Sequence, residues 1–342
     1  MKVAILGAGA MGTTLGAFLS RKNVPVDLID SYEEHVKALN QNGAQVTGCE
    51  NFVVPVHALT LDQIEDTYDL VFLLTKRTHN VECLTKLLPH LAEHGTVCTL
   101  QNGVPEPEVA DIVGKERTVG GACRWGATFI RPGIVKLTSD LANREILFEI
   151  GEMDGKITDR LKMVSDILGN MGKAEMADNF IGARWLKLLL NSSMSGMSAA
   201  LGTAYYRILE NDKAMTCLAY LASEVYHVSV AAGVHMTETN GLNPKEIGDF
   251  KTPSELERSK GYLYRNYYPQ RTGKASMLQD LERGVKTEVD MINGFVSATG
   301  RKCGVPTPFN DKVVSIIKDA ENGVHPAEFS NLDLFEIPEI CP

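Results

Sequence analysis

The chain has 342 residues, 44% of them hydrophobic and 23% charged, which is ordinary for a globular protein and long enough for two cores. Its formal net charge of -9 comes without a basic stripe, which argues against nucleic acid as a partner. The best candidate for a membrane span, residues 186–201, is broken by Lys187, Asn191 and several serines, and the chain opens directly on a strand pattern, so neither membrane association nor a signal peptide is expected.

An apolar run, Val3 to Leu6, leads into Gly7, Gly9 and Gly12, and a helical pattern covers residues 13–21. Strand, glycine turn and helix in this order form a dinucleotide-binding unit. Gly7 permits the tight turn, Gly9 lets the backbone approach a pyrophosphate, and Gly12 lets the helix pack close to the strand. The phosphates would sit on the free N–H groups of the helix start. Gly7, Gly9, Ala10, Met11 and Gly12 are therefore expected to bind the cofactor.

The second strand ends at Asp30, eighteen positions after Gly12, where a Rossmann unit places the acid that bonds the ribose 2′-hydroxyl. A carboxylate there repels a 2′-phosphate, and Ser31 and Tyr32 follow with no cation beside them, so NAD is favoured, with NADP not excluded. Asp30 could equally cap the helix that follows it. After a helix over 33–40, Pro55 interrupts the run 52–56 and predicts an edge strand. Residues 68–75 and 95–100 are nearly all apolar, as in parallel strands buried on both faces. They end in Lys76 and in Gln101-Asn102-Gly103. Ligands bind at such carboxyl ends, so Lys76 and Asn102 are expected at the nicotinamide end of the cofactor. Unaided, Asn102-Gly103 is more simply a turn and Lys76 a solvated lysine.

Residues 118–150 read as antiparallel strands turning at Arg131-Pro132-Gly133. A helix over 157–171 and a strand over 174–176 complete a first domain, 1–179. Domain 180–325 reads as all-α: helices over 181–201, 215–232 (closed by Gly233), 276–300 and 308–322, with a polar, tyrosine-bearing stretch over 240–272. Residues 326–342 read as an irregular acidic tail. The predicted fold is thus α/β, an N-terminal Rossmann-type domain followed by an all-α C-terminal domain.

Seven cysteines, at 49, 83, 98, 123, 217, 303 and 341, form no Cys-x-x-Cys, which points to a reducing cytoplasm. His90 and His94 have metal-binding helical spacing but lack the Glu of His-Glu-x-x-His, so no metal is expected. In the second half, Lys187 and Asn191 fall on one helix face. Lys187 lies among leucines, where a lysine either snorkels or lines a cleft. Ser276 could cap a helix, and Glu288 could be an exposed helix carboxylate.

From residue 1 to about 320 the chain resembles the ketopantoate reductases (2-dehydropantoate 2-reductases). The resemblance rests on the glycine turn, Lys76, Gln101-Asn102-Gly103, Lys187-x-x-x-Asn191, and Ser276-Met277 with Glu288 twelve residues after the serine. It implies nicotinamide-dependent reduction of a 2-oxo acid to a 2-hydroxy acid, first of all 2-dehydropantoate to pantoate in pantothenate biosynthesis. Lys187 would be the general acid, with Glu288 bonded to it or to the substrate. Asn102, Asn191, Ser195 and Ser276 would hold the substrate, and Lys76 would lie by the cofactor. The chain departs from the family at Ser195, where a second asparagine is usual, and at Asp30-Ser31, where a basic residue for a 2′-phosphate is common. It also carries a long tyrosine-bearing segment before Ser276, expected at the pocket wall. The alternatives are an NAD-dependent dehydrogenase of a different 2-hydroxy acid and a non-catalytic dinucleotide sensor. The helical half offers surfaces for a homodimer.

Overall fold

The computed structural model describes residues 1–143, 145–238 and 241–340. The start of the polar stretch at Asn240, and Cys341 and Pro342 at the end of the tail, lie outside the described residues. The chain divides into two compact units, Met1–Phe180 and Ile181–Pro342.

The first unit is built on twelve strands: β1 (Val3–Leu6), β2 (Val26–Ile29), β3 (Ala44–Gly48), β4 (Phe52–Val54), β5 (His57–Leu59), β6 (Tyr68–Leu73), β7 (Leu91–Thr99), β8 (Thr118–Cys123), β9 (Ala127–Arg131), β10 (Ile134–Leu137), β11 (Phe148–Gly151) and β12 (Ala174–Met176). Eight form one sheet in the order β12-β11-β8-β7-β6-β1-β2-β5. Its pairings are parallel except β8 with β11. Alternation along the central strands explains why both faces are apolar. Val3, Ile5, Leu70 and Phe72 enter one core with the helix Ala10–Arg21. Ala4, Leu6, Val71 and Leu73 enter the other with the helices Asn80–Leu87 and Glu106–Val113.

A second sheet, β4-β3-β10-β9, was not anticipated from the sequence. β4 is its outer strand, as Pro55 implies, and β9 and β10 form the expected hairpin, with Gly133 at φ +78° in its turn.

The second unit is helical, and three expectations need correction there. First, the helix over 181–201 is not continuous. It runs Phe180–Leu190, opens into a π-turn at Asn191–Ser195, and resumes at Gly196–Ala200. Second, 276–300 is not one helix. Ser276–Glu282 ends at Gly284 (φ +66°), a 3-10 turn follows at Val289–Met291, and a new helix spans Asn293–Cys303. The left-handed glycine cannot continue a helix, so Glu288 stands before the short turn and not on a helix face. Third, the polar stretch contains the helices Pro244–Gly248 and Pro253–Tyr267, the latter started by a capping box between Thr252 and Glu255. The long helix Asp212–Ala231 ends at Gly233 (φ +74°) as expected. The tail carries a 3-10 helix at Phe329–Leu334, where Asn331 donates to Ala200 O and Phe335 stacks on Phe309.

His90 and His94 do not share a helix. His90 closes a 3-10 turn and His94 lies in β7. Among the described residues no group of three or more His, Cys, Asp or Glu side chains could hold a metal ion, and no helix is long and apolar enough to cross a membrane.

Candidate active site

In the first unit the chain leaves β1 toward β2 on one side and returns to β6 on the other. Strand order reverses between β1 and β6, the crevice at which open α/β sheets bind ligands. The loops after these two strands touch there. A Cβ on Gly7 (φ +99°) would lie 2.4 Å from Thr75 N, and one on Gly12 would lie 2.1 Å from Gly7 O. Both positions therefore require glycine. A Cβ on Gly9 would meet nothing within 4 Å, because this glycine faces an open cleft of about 390 Å³. Ala10 and Met11 form the first turn of the helix whose free N–H groups follow. A bare backbone beside an open cleft at a helix start fits a pyrophosphate.

Asp30 and Lys76 line the same cleft. Asp30 Oδ1 accepts the backbone N–H of Tyr32 at 2.9 Å, so it shapes its turn. The helix N-cap is Tyr32, not Asp30. One carboxylate oxygen holds the loop, and the residue still borders the cavity. Sequence adjacency concealed other residues: His79 and Lys86, from the segment after β6, also line the cleft. His79 lies in the turn that follows β6, and Lys86 in the last turn of the helix Asn80–Leu87. Lys86 lies 3.7 Å from Asp62 and 3.5 Å from Glu82, so its ammonium is neutralised locally.

Beneath Lys76 a buried network fixes the floor. Gln101 Nε2 donates to Thr75 O at 2.7 Å and to Asn80 Oδ1 at 2.6 Å, while Thr99 Oγ1 donates to Gln101 Oε1 at 3.1 Å. Gln101 thus joins the ends of β6 and β7, and half-buried Asn102 follows it directly. The dipeptide Asn102-Gly103 gives no local sign of the bracing made by Gln101.

In the second unit, Lys187 is half-buried between Leu186 and Leu188, which are 3% and 1% exposed. Asn191 and Ser195 are half-buried and bracket the π-turn. Ser195 is a hydrogen-bond partner of the Tyr205 phenol. Glu288 is half-buried, and both neighbours anchor it. Thr287 donates from N and Oγ1 to Glu321 Oε1 at 2.7 and 2.6 Å, and Val289 is fully buried. Ser276 opens the helix Ser276–Glu282 with its side chain exposed, and the N-cap is Ala275. That helix packs against the π-turn. Asn293, five residues beyond Glu288, donates to Ser192 O inside the π-turn at 2.9 Å. Within the second unit, the candidate substrate residues Asn191, Ser195 and Ser276 thus come from segments that meet at one irregular turn of helix.

Residues 3–152 match the family Ketopantoate reductase PanE/ApbA, and residues 179–321 match Ketopantoate reductase PanE/ApbA C terminal. The chain belongs to the ketopantoate reductase family. Among proteins named 2-dehydropantoate 2-reductase, that of Pyrococcus abyssi is 29% identical over 94% of this chain and 98% of its own length. That of Archaeoglobus fulgidus is 27% identical over 94% and 99%. The solved 2-dehydropantoate 2-reductase of Geobacter metallireducens covers 94% of this chain and 100% of its own, with a TM-score of 0.78 and 25% identity. A D-mandelate dehydrogenase solved with NADH and anilino(oxo)acetate has the same fold, with a TM-score of 0.82 and 24% identity over 95% and 99% of the two chains. As a ketopantoate reductase family member, the protein is an oxidoreductase that acts on a 2-oxo acid with a nicotinamide cofactor.

Proposed function

We propose that this enzyme reduces 2-dehydropantoate to pantoate, the reaction named by its curated relatives, and that NADH is the reductant it prefers. The observation that carries the reading is Lys187, a half-buried cation inserted in a leucine-lined helix directly before the π-turn. A nicotinamide held at the glycine turn would supply the hydride for the ketone carbon. As that carbon is reduced, negative charge builds on the ketone oxygen. Lys187 Nζ donates a hydrogen bond to this oxygen and then its proton, leaving the alcohol. Glu288 orients the lysine or a substrate hydroxyl. Asn102, Asn191, Ser195 and Ser276 hold the remaining polar groups of the acid. Gly7, Gly9 and Gly12 cradle the pyrophosphate with Ala10 and Met11, Asp30 takes the ribose hydroxyls, and Lys76 lies by the cofactor.

The preference for NADH rests on Asp30 at the cleft, beside Glu33, with Lys86 already paired to acids. Reducing, cytoplasmic surroundings accord with the unpaired thiols Cys49, Cys83, Cys217 and Cys303. Assaying 2-dehydropantoate against a panel of 2-oxo acids, with NADH and NADPH separately, tests the reading. We expect the highest kcat/KM with 2-dehydropantoate and NADH. A higher value for another 2-oxo acid would overturn the substrate assignment.

The second reading is an NAD-dependent dehydrogenase of a different 2-hydroxy acid. Ser195 favours it, since its hydroxyl is engaged by Tyr205. The same panel, run in the oxidative direction with NAD, decides between the two.

A further inference from the structure

Tyr267 is 5% exposed and ends the helix Pro253–Tyr267, in the polar, tyrosine-bearing stretch before Ser276. Its phenol donates to Leu190 O at 2.7 Å. The backbone N–H of Met194 is a hydrogen-bond partner of the same phenol oxygen. In an unbroken α-helix, Leu190 O and Met194 N–H, four residues apart, would bond each other. The tyrosine hydroxyl takes up the Leu190 carbonyl, which also accepts Ser193 Oγ at 3.2 Å.

A side chain inserted into the helical ladder is a recognised cause of distortion, and here the distortion is a π-turn. Gly196 N–H reaches back five residues to Asn191 O. The turn is supported from two further directions. Ser193 Oγ lies 3.3 Å from the Tyr267 hydroxyl and donates to Leu189 O at 2.7 Å. Asn293 Nδ2 donates to Ser192 O at 2.9 Å and to Asn310 Oδ1 at 2.9 Å. The carbonyls of Leu190 and Ser192 are thus met by side chains from elsewhere in the unit, which removes the cost of leaving them unpaired.

The extra residue in the turn rotates every later side chain by roughly 100° relative to an unbroken helix. Gly196 takes the angular place that Ser195 would have filled. Ser195 is turned back to Tyr205, whose ring meets Tyr267 edge-on at 6.2 Å. The tyrosine therefore governs how Asn191 and Ser195 are arrayed after Lys187.

We propose that Tyr267 is a positioning residue for the 2-oxo acid site: its hydroxyl, wedged into the Leu190–Met194 rung, holds open the π-turn that sets Asn191 and Ser195 relative to Lys187. The inference rests on the assignment of Lys187 and Asn191 to the reaction. Burial pushes the phenol pKa well up, so the wedge keeps its proton through the working range of pH.

The test is Tyr267→Phe, which keeps the ring and removes the hydroxyl. We expect kcat to fall by roughly 10–100-fold. The cofactor Kd should stay within about twofold of wild type, because only substrate alignment is lost. The limb of the pH–rate profile that reports Lys187 should move. Ser193→Ala, a milder disturbance of the same wedge, should give a smaller loss of the same pattern, and it serves if the phenylalanine variant does not fold. The double variant Tyr267→Phe/Lys187→Ala should be no slower than Lys187→Ala alone, because a residue acting through the lysine has nothing left to align. Unchanged kcat and pH limb in Tyr267→Phe, or strictly additive losses in the double variant, would overturn the proposal. Full turnover in Lys187→Ala would instead remove the reading of the site itself, an outcome distinct from either.

Discussion

His35 Nδ1 accepts the backbone N–H of Gly133 at 2.9 Å, joining the helix that follows Asp30 to the turn between β9 and β10. Because Nδ1 accepts, the ring proton lies on Nε2, which donates to Ala8 O at 2.8 Å inside the glycine turn. Thr13 Oγ1 sits 3.0 Å from the same nitrogen. The ring is 1% exposed, so one buried imidazole ties the glycine turn to the second sheet.

Burial lowers the His35 pKa below its usual 6.5, against smaller raising effects from Ala8 O and Asp30. The folded state therefore favours the neutral ring, whose contribution is full above the unfolded pKa and is lost as pH falls through the folded one. Protonation would also set a second N–H against Gly133 N–H. We expect NADH affinity and stability to decline together below about pH 6.5. His35→Ala should lower stability by ~1–3 kcal/mol at pH 7.5 and flatten that acid limb. Thermal melts and cofactor titrations between pH 5 and 8 check both.

Lys187→Ala should retain NADH affinity and lose roughly 10²–10⁴-fold in kcat, the usual worth of a general acid. Fluorescence titration of NADH alongside steady-state rates separates the two effects. Turnover near the wild-type rate would exclude Lys187 from proton donation.

Asp30→Ala should weaken NADH by ~1.5–3 kcal/mol, as expected for hydrogen bonds to a charged acceptor. It should change NADPH binding less, since a repulsion is removed together with a contact. Paired Kd values measured by calorimetry report the gap. A wild-type enzyme that already binds NADPH more tightly would refute this account of the cleft.

Glu224 makes a separate pH prediction. Its carboxylate accepts Phe309 N at 2.7 Å, Asn310 N at 2.9 Å and Asn310 Nδ2 at 2.7 Å, capping the helix Pro308–Glu321. Burial outweighs these bonds and pushes its pKa up to about 7. A raised folded pKa gives stability that is full below about pH 4.5 and is lost as pH rises through 7. The group should therefore cost up to ~3 kcal/mol between those limits. In Glu224→Gln the pH dependence over that window should disappear from urea midpoints. An unchanged slope would show that other groups carry it.

Local pattern made much of the first unit legible. Continuous apolar strands, a glycine turn at β1 and a proline beside β4 each follow from rules that act within a few residues. The same holds for Gly7 and Gly12, whose need for glycine is visible as spacing before it is visible as a 2.1 or 2.4 Å clash. Lys76 and Asp30 were found for the same reason, as strand-end residues of a parallel sheet. Lys86 reaches the same cleft from the far end of the helix Asn80–Leu87, a proximity that spacing along the chain does not record.

The sequence by itself determined where the glycine turn after β1 would form and which lysine was set among leucines, because periodicity and turn chemistry are local. Only the tertiary structure decided the shape of the helix that carries Lys187. A phenol 77 residues away breaks its ladder, and no periodicity within residues 181–201 records a hydroxyl arriving from outside. The histidine that clamps the glycine turn finds its partner 98 residues along the chain. Both devices are hydrogen bonds between buried groups distant in sequence, and burial, which makes such bonds matter, exists only once the chain has folded.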